Sequence, residues 1–450
     1  MKNLLILSCS LLFLNVSAQD HFSGISTSRR VGILNVGVNP AELTNLTSKY
    51  EVNLFSTSIN ISNNKVGFKD LTGDENIEDL IFVGTEPVNM RLDAEFHGPG
   101  FAMRLNNKWA FGVSSKAYAK VNIVDINPEL GEALSLNSVA GTTTLSNNYN
   151  QRLNGTTWGE VGFSAARNLF ESEKYKFSAG LTLKLLFPGS YVNLGLDKFN
   201  GTIDTNVLGD AYLNDVDNAT LNIAYSGNLA GSFTDSSDYT NSLFGSLNGL
   251  GADIGFNYQL KDEKGYKLNS GLAIRNLGAM TFKGDNNSAT TYILNIPDGT
   301  PTEPGLYLNQ FDGVDNLEDI EQILLDSGYL DKAEKTNADF KVKLPTVFSA
   351  YVDYKVVSSF YVSLYTQQKL GDDSNNNQAT TQNVISLTPR FSLKNFEVYV
   401  PIASNEISGT TGGFGFRLYG FYLGSGSIIT ALISDTKQAD FHFGYRLGLR

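Results

Sequence analysis

Cysteine is nearly absent: the one thiol, Cys9, lies inside the apolar run Leu4–Leu14 at the start of the chain. Lys2 ahead of that run and Val16-Ser17-Ala18 behind it complete the pattern of a secretory signal over residues 1–18, with Gln19 opening the mature chain. A lipoprotein would carry its cysteine at the end of the apolar core, not within it. A chain cut after Ala18 holds no thiol, which excludes disulfides and thiol chemistry. Beyond the signal no apolar run approaches the ~20 residues that a membrane-spanning helix requires. Any residence in a bilayer must then be through strands.

Positive charge is also scarce, with 34 Lys and Arg against 46 Asp and Glu and a net charge of −12. Nucleic acid, which needs a basic surface, is excluded as a partner. Only three histidines occur, His21, His97 and His442, and none has a neighbour at metal-ligand spacing. No HExxH, CxxC or GxSxG pattern is present. Gly412-Gly413-Phe414-Gly415 lacks the spacing and the lysine of a phosphate-binding loop. The oxygen-rich stretches Asp70–Glu75 and Gly371–Asn377 lack EF-hand spacing and read as solvated loops. Neither a metal nor a cofactor is expected.

What the chain has in abundance is alternation. Phe441, Phe443, Tyr445, Leu447 and Leu449 alternate with Asp440, His442, Gly444, Arg446 and Gly448, giving a strand with one apolar and one polar face. The same pattern predicts strands over 50–62, 90–105, 108–123, 155–169, 174–187, 250–261, 265–277, 343–356, 358–369, 382–393, 395–402, 412–424, 427–433 and 438–449. Lengths that are mostly 12 residues or more exceed those of ordinary globular strands and suit tilted membrane spans. Short polar turns such as Asn106-Asn107 and Asp262-Glu263-Lys264 alternate with long connections, of which 188–249 and 278–342 are the largest. An even strand number with short turns on one side and long loops on the other is the mark of an outer-membrane barrel. The fold class is therefore all-β: a single transmembrane antiparallel β-barrel of about 14 strands over 48–450, with long extracellular loops and one short loop helix from Asn316 to Leu330. A soluble β-sandwich is the competing reading.

Residues 19–47 show no strict alternation and form a leader, either a lumen plug or a free arm, marked by Asn39-Pro40-Ala41. The polar faces assign Asp440, His442, Arg446, Asp353, Lys355, Asp253 and Glu160 to the lumen. Acids and bases balance there, unlike the one-sided constriction of a strongly ion-selective pore. His442 with Asp440 and Arg446 reads as an interior polar network. A hydrolase would need a further serine or acid from another strand.

The stretches Gly413–Ser425 and Ala439–Leu449 resemble a family of uncharacterised outer-membrane barrels of Bacteroidota-type bacteria, a domain of unknown function. Asn39-Pro40-Ala41 is similar to the motif near the start of FadL-type fatty-acid transporters and PorV-type secretion subunits. Those resemblances imply a fourteen-stranded barrel in the outer membrane of a Gram-negative bacterium, in contact with lipid. Arg450 departs from the terminal aromatic usual in such barrels. The function expected is a passive or gated channel for small hydrophobic or amphipathic solutes. The alternative is a structural barrel that meets protein partners of a surface or secretion complex through its outer loops. An outer-membrane hydrolase comes third.

Overall fold

The computed structural model describes residues 21–71, 80–136, 142–206, 209–232, 236–263, 265–283, 286–300, 303–332 and 339–449. The signal expected at 1–18 lies outside them. Fourteen antiparallel strands close into one barrel. They are β1 (Tyr50–Asn63), β2 (Val88–His97, continued by Gly100–Arg104), β3 (Trp109–Ile126), β4 (Gln151–Glu171) and β5 (Tyr175–Asp197). Then come β6 (Gly249–Asp262), β7 (Gly265–Phe282), β8 (Phe340–Lys343, continued by Val347–Val357), β9 (Phe360–Lys369) and β10 (Val384–Ser392). Last are β11 (Phe396–Tyr399, continued by Ile402–Asn405), β12 (Gly409–Gly412, continued by Phe414–Leu418), β13 (Phe421–Ser425) and β14 (Gln438–Leu449). Each strand pairs with the next, and β14 pairs back onto β1 from Tyr50↔Leu449 to Ser62↔Gln438, which closes the wall.

The count matches expectation, but two of the strands differ. The stretch 412–424 is not one strand: it turns at Tyr419-Gly420, with Tyr419 in the left-handed region at φ 53°. Tyrosine there carries none of the usual turn chemistry, and the trace of the turn is a change of phase in the apolar alternation between Leu418 and Phe421. Residues 427–433, expected as a strand, form instead a short helix, Ile428–Ile433. A six-residue aliphatic run has no periodicity that separates the two. The β11–β12 connection, expected to be long, is the tight 406–408 turn, and Pro401, which has no N–H to donate, interrupts β11.

On the side of the first strand's start and the last strand's end, strands are joined by at most four residues. The long connections 64–87, 127–150, 198–248, 283–339, 370–383 and 426–437 all leave the opposite rim. Strands β4 and β5, 21 and 23 residues long, run past that rim. Beyond it β5 pairs with Val216–Ser226, which pairs with Ser288–Ile296, and this sheet carries its own hydrophobic core. The expected loop helix, here α1 (Leu317–Asp326), docks on it through Leu317 and Leu324. Asn316 caps it by accepting from the Asp319 amide, and Glu318 and Asp319 suit the positive end of its dipole. Its Glu321 accepts hydrogen bonds from Tyr225 (3.1 Å) and Tyr292, and burial together with that carboxylate pushes the Tyr225 phenol up to about 12.

The two faces of the wall differ as the alternation requires. Outward lie Phe163, Leu183, Ile254, Phe256, Leu272, Leu387, Ile402, Phe414 and Phe441, all large, apolar and exposed. In water such a belt would be an aggregation surface; around a closed barrel it is the face that lipid covers. Inward lie buried polar and charged side chains, each needing a partner.

Candidate functional site: the filled barrel interior

Residues 21–46 run inside the barrel. At Asn39 the chain is extended, and the side-chain oxygen caps a short 3-10 helix, Pro40–Asn45, by accepting from the Ala41 amide at 2.9 Å. Proline suits the first helical position because the amide it lacks has no partner there. The Asn39 amide group donates across the lumen to the Phe256 carbonyl at 2.8 Å. This close approach needs a wall without side chains at one level. Gly180 on β5, Gly255 on β6 and Gly271 on β7 supply it: a Cβ on any of them would overlap the Pro40 backbone, Asn39 Oδ1 or Asn39 Nδ2 respectively.

One turn on, the buried carboxylate of Glu42 collects four donors. Asn257 Nδ2, Asn269 Nδ2 and Asn45 Nδ2 each lie at 2.9 Å, and the Tyr351 hydroxyl donates as well. A buried carboxylate is tolerable when hydrogen-bonded to this degree. The rest of the leader is fastened similarly. His21 Nδ1 lies 2.9 Å from Ser58 Oγ and its Nε2 3.0 Å from Asp93. Phe22 packs among the rings of His97, Tyr422 and His442. Arg29 stacks over Tyr266, and Arg275 donates to the Gly37 carbonyl at 2.6 Å.

Toward the outer rim the lining changes. Above Lys184, which pairs with Asp253 (2.9 Å) and Glu160 (3.5 Å), the interior becomes aromatic. Tyr118 and Trp158 stack at 4.4 Å, and Tyr191, Phe282 and Phe340 pack together with Met280 and Val342. The Trp158 indole N–H is buried there without a hydrogen-bond partner among the described residues. Higher still, the 370–383 connection folds inward across the mouth. Arg152, fully buried, donates to the carbonyls of Asp373 (2.6 Å) and Gln378 (3.0 Å), and Arg91 pairs with the Asp373 carboxylate at 2.6 Å. Burial alone would raise that carboxyl, but Arg91 and Lys369 hold it below its ordinary value. One interior space between leader and wall, beside Ile33, Gly37, His97 and Lys116, measures about 30 Å³, which is water-sized.

The lumen residues read from the sequence lie at several separate points. Asp253 and Glu160 meet on Lys184. Asp353 is fully buried and pairs with Arg390 at 2.7 Å, while accepting from Ser363 and Tyr266. Lys355 sits at the short-turn rim on Asp262. Asp440, His442 and Arg446 share a face of β14 but not a network. Asp440 accepts from the Gly426 amide and Ser427 hydroxyl at 2.5 Å, His442 Nε2 lies 3.0 Å from the Tyr399 hydroxyl, and Arg446 pairs with Glu51 at 2.5 Å. Spaced two and four residues apart on a strand, they lie too far along it to touch. The acid that a hydrolytic His442 would need is thus engaged elsewhere. Among the described residues no three His, Cys, Asp or Glu side chains converge as metal ligands. Glu42, Asn269, Arg152 and Arg390 were not foreseen. The glycines at polar-face positions 180, 255 and 271 were the available signal for the leader's seat.

No curated protein is detectably similar in sequence. Among solved structures, a deltaS2S3 mutant of the monoaromatic hydrocarbon channel TodX is similar over 95% of this chain and 99% of its own, at 10% identity and TM-score 0.47. The Ralstonia pickettii toluene transporter TbuX matches 97% of this chain and 100% of its own at 9% identity and TM-score 0.34. A Pseudomonas aeruginosa FadL homologue matches 97% and 100% at 10% identity and TM-score 0.29. Residues 40–426 match the family of unknown function DUF5723, and the chain belongs to that family.

Proposed function

We propose that the protein is an outer-membrane channel for small apolar or amphipathic solutes, seen here in its closed state. The carrying observation is the aromatic layer of Tyr118, Trp158, Tyr191, Phe282 and Phe340 inside the barrel. A water-filled pore is lined with polar groups; an apolar layer across the path favours solutes that leave water readily. In this reading the leader, with Asn39, Pro40 and Ala41 in the glycine slot, is a plug in the short-turn half. The 370–383 connection is a cap at the other end. The exposed apolar belt supports a bilayer as surroundings, and the short turns and both chain ends then face the periplasm. Export by a cleaved signal at 1–18 belongs to the same reading.

The test is uptake by proteoliposomes of a small aromatic alcohol set against glucose. Uptake of the aromatic solute alone, reduced by Trp158→Ala together with Phe282→Ala, is the expected result. A barrel that passes neither, with its native fold verified, overturns the proposal.

A second reading has its own support. The sheet beyond the outer rim, with α1 docked on it, buries a separate hydrophobic core and is more than loop. A folded layer of that kind favours engagement of a protein partner at the cell surface. Removing 198–248 while retaining solute uptake would assign that layer to interaction alone.

A further inference from the structure

The barrel wall has one incomplete place. β13 is five residues long and stops at Ser425, whereas its neighbours continue toward the outer rim. Above that level Gly409–Gly412 pairs with β11 on one side and, among the described residues, with no strand on the other. Gln438–Phe441 opposite it pairs with β1. A strand edge facing lipid leaves amide and carbonyl groups with nothing to bond, which a bilayer does not tolerate.

The helix α2 (Ile428–Ile433) occupies this place. Thr430 accepts from the Gly412 amide at 2.5 Å and its hydroxyl turns back toward the Gly412 carbonyl at 3.4 Å. Gly412 is paired with the outward-facing Ile402, and a Cβ on it would point at Thr430 and Ile429, so α2 lies on the outside of the wall. Asp440 ties the residues entering the helix from the inner side. With its wall side so engaged, α2 turns Ile428 outward, together with Leu432 and Ile433 at 78% and 80% exposure. The last two exceed every other large apolar side chain among the described residues.

We propose that α2 is a membrane-immersed part of the wall: it takes the place of the missing outer half of β13 and presents Ile428, Leu432 and Ile433 to the acyl chains of the outer leaflet. The occupant is lipid because the helix continues the apolar belt, sharing its level with Ile402, and carries no charge over Ile428–Ile433. The inference rests on the membrane reading given above.

The experiment labels single cysteines with bimane in a Cys9→Ser background, reconstituted in phosphatidylcholine vesicles with or without brominated acyl chains. Leu432→Cys and Ile433→Cys are compared with the belt positions Ile402→Cys and Phe256→Cys and with Glu318→Cys on exposed α1. Quenching at 432 and 433 of at least half that at 402 is expected, with none at 318. Quenching at 402 and 256 but not at 432 and 433 overturns the proposal while leaving the barrel in the membrane. Absence of quenching at all four positions overturns the membrane reading itself. Protection of 432 and 433 by a cross-linkable second copy assigns the face to protein contact instead, and equally overturns the proposal.

Discussion

Gly255 on β6 faces the side chain of Asn39 so closely that a methyl group in place of its hydrogen would overlap the Asn39 amide oxygen. The seat of the leader is thus cut into the wall by an absent side chain. Gly255→Ala forces either the Asn39 turn or the strand to shift, a strain of about 1–3 kcal/mol. Trypsin should then cleave faster at Arg29 and Arg30, while the barrel keeps its resistance. Unchanged cleavage would mean that the leader is not held at this point.

Glu42 offers the converse test, because the Asn269 amide and the Tyr351 hydroxyl both direct their protons at it. Glu42→Leu takes the acceptor away from Asn269 and Tyr351, and should destabilise the folded protein by about 2–3 kcal/mol. Glu42→Gln keeps one acceptor oxygen and should recover part of the loss. Thermal unfolding in detergent distinguishes the two. Equal melting of both variants would count against the hydrogen-bond account.

The cap across the mouth should respond to acid. Asp373 is held below its ordinary value of 3.8, so the anchoring it gives is complete above that value and is lost as pH falls through the lowered one. Hydrogen exchange over 370–383 should therefore rise only at pH below the ordinary aspartate range. Asp373→Asn should exchange quickly at neutral pH with no further acid dependence. A rise centred near neutrality in the native chain would contradict this assignment.

Topology is open to a coarse check. A protease added to intact cells should cut within 198–248 or 283–339 and spare the short turn at Ser172–Lys174. Cleavage confined to that turn would invert the orientation.

The barrel was legible because its rule is local: each strand repeats a two-residue period that lipid on one side and a filled lumen on the other both enforce. Thus Asp353 and Lys355 could be assigned to the inner face of β8 without knowing their partners. The partners themselves were not legible. Asp353 meets Arg390, Arg446 meets Glu51 and Arg152 meets the 370–383 segment across separations of tens to hundreds of residues. Nothing in a period of two encodes which strand lies opposite. The errors fell where the period was weak: at Tyr419, where an unusual residue makes the turn, and at 428–433, where an aliphatic run fits either secondary structure.

The leader is continuous with β1 yet bonded to β5, β6, β7 and β8, which stand on the far side of the lumen. It therefore works as a cross-brace. A barrel under the lateral pressure of a bilayer flattens most readily along the diameter that nothing spans, and here one diameter is spanned by a covalent chain. Releasing Asn39 and Glu42 would free more than space: the cross-section itself would become compliant, so widening of the bore and loss of the leader's grip should occur as one event.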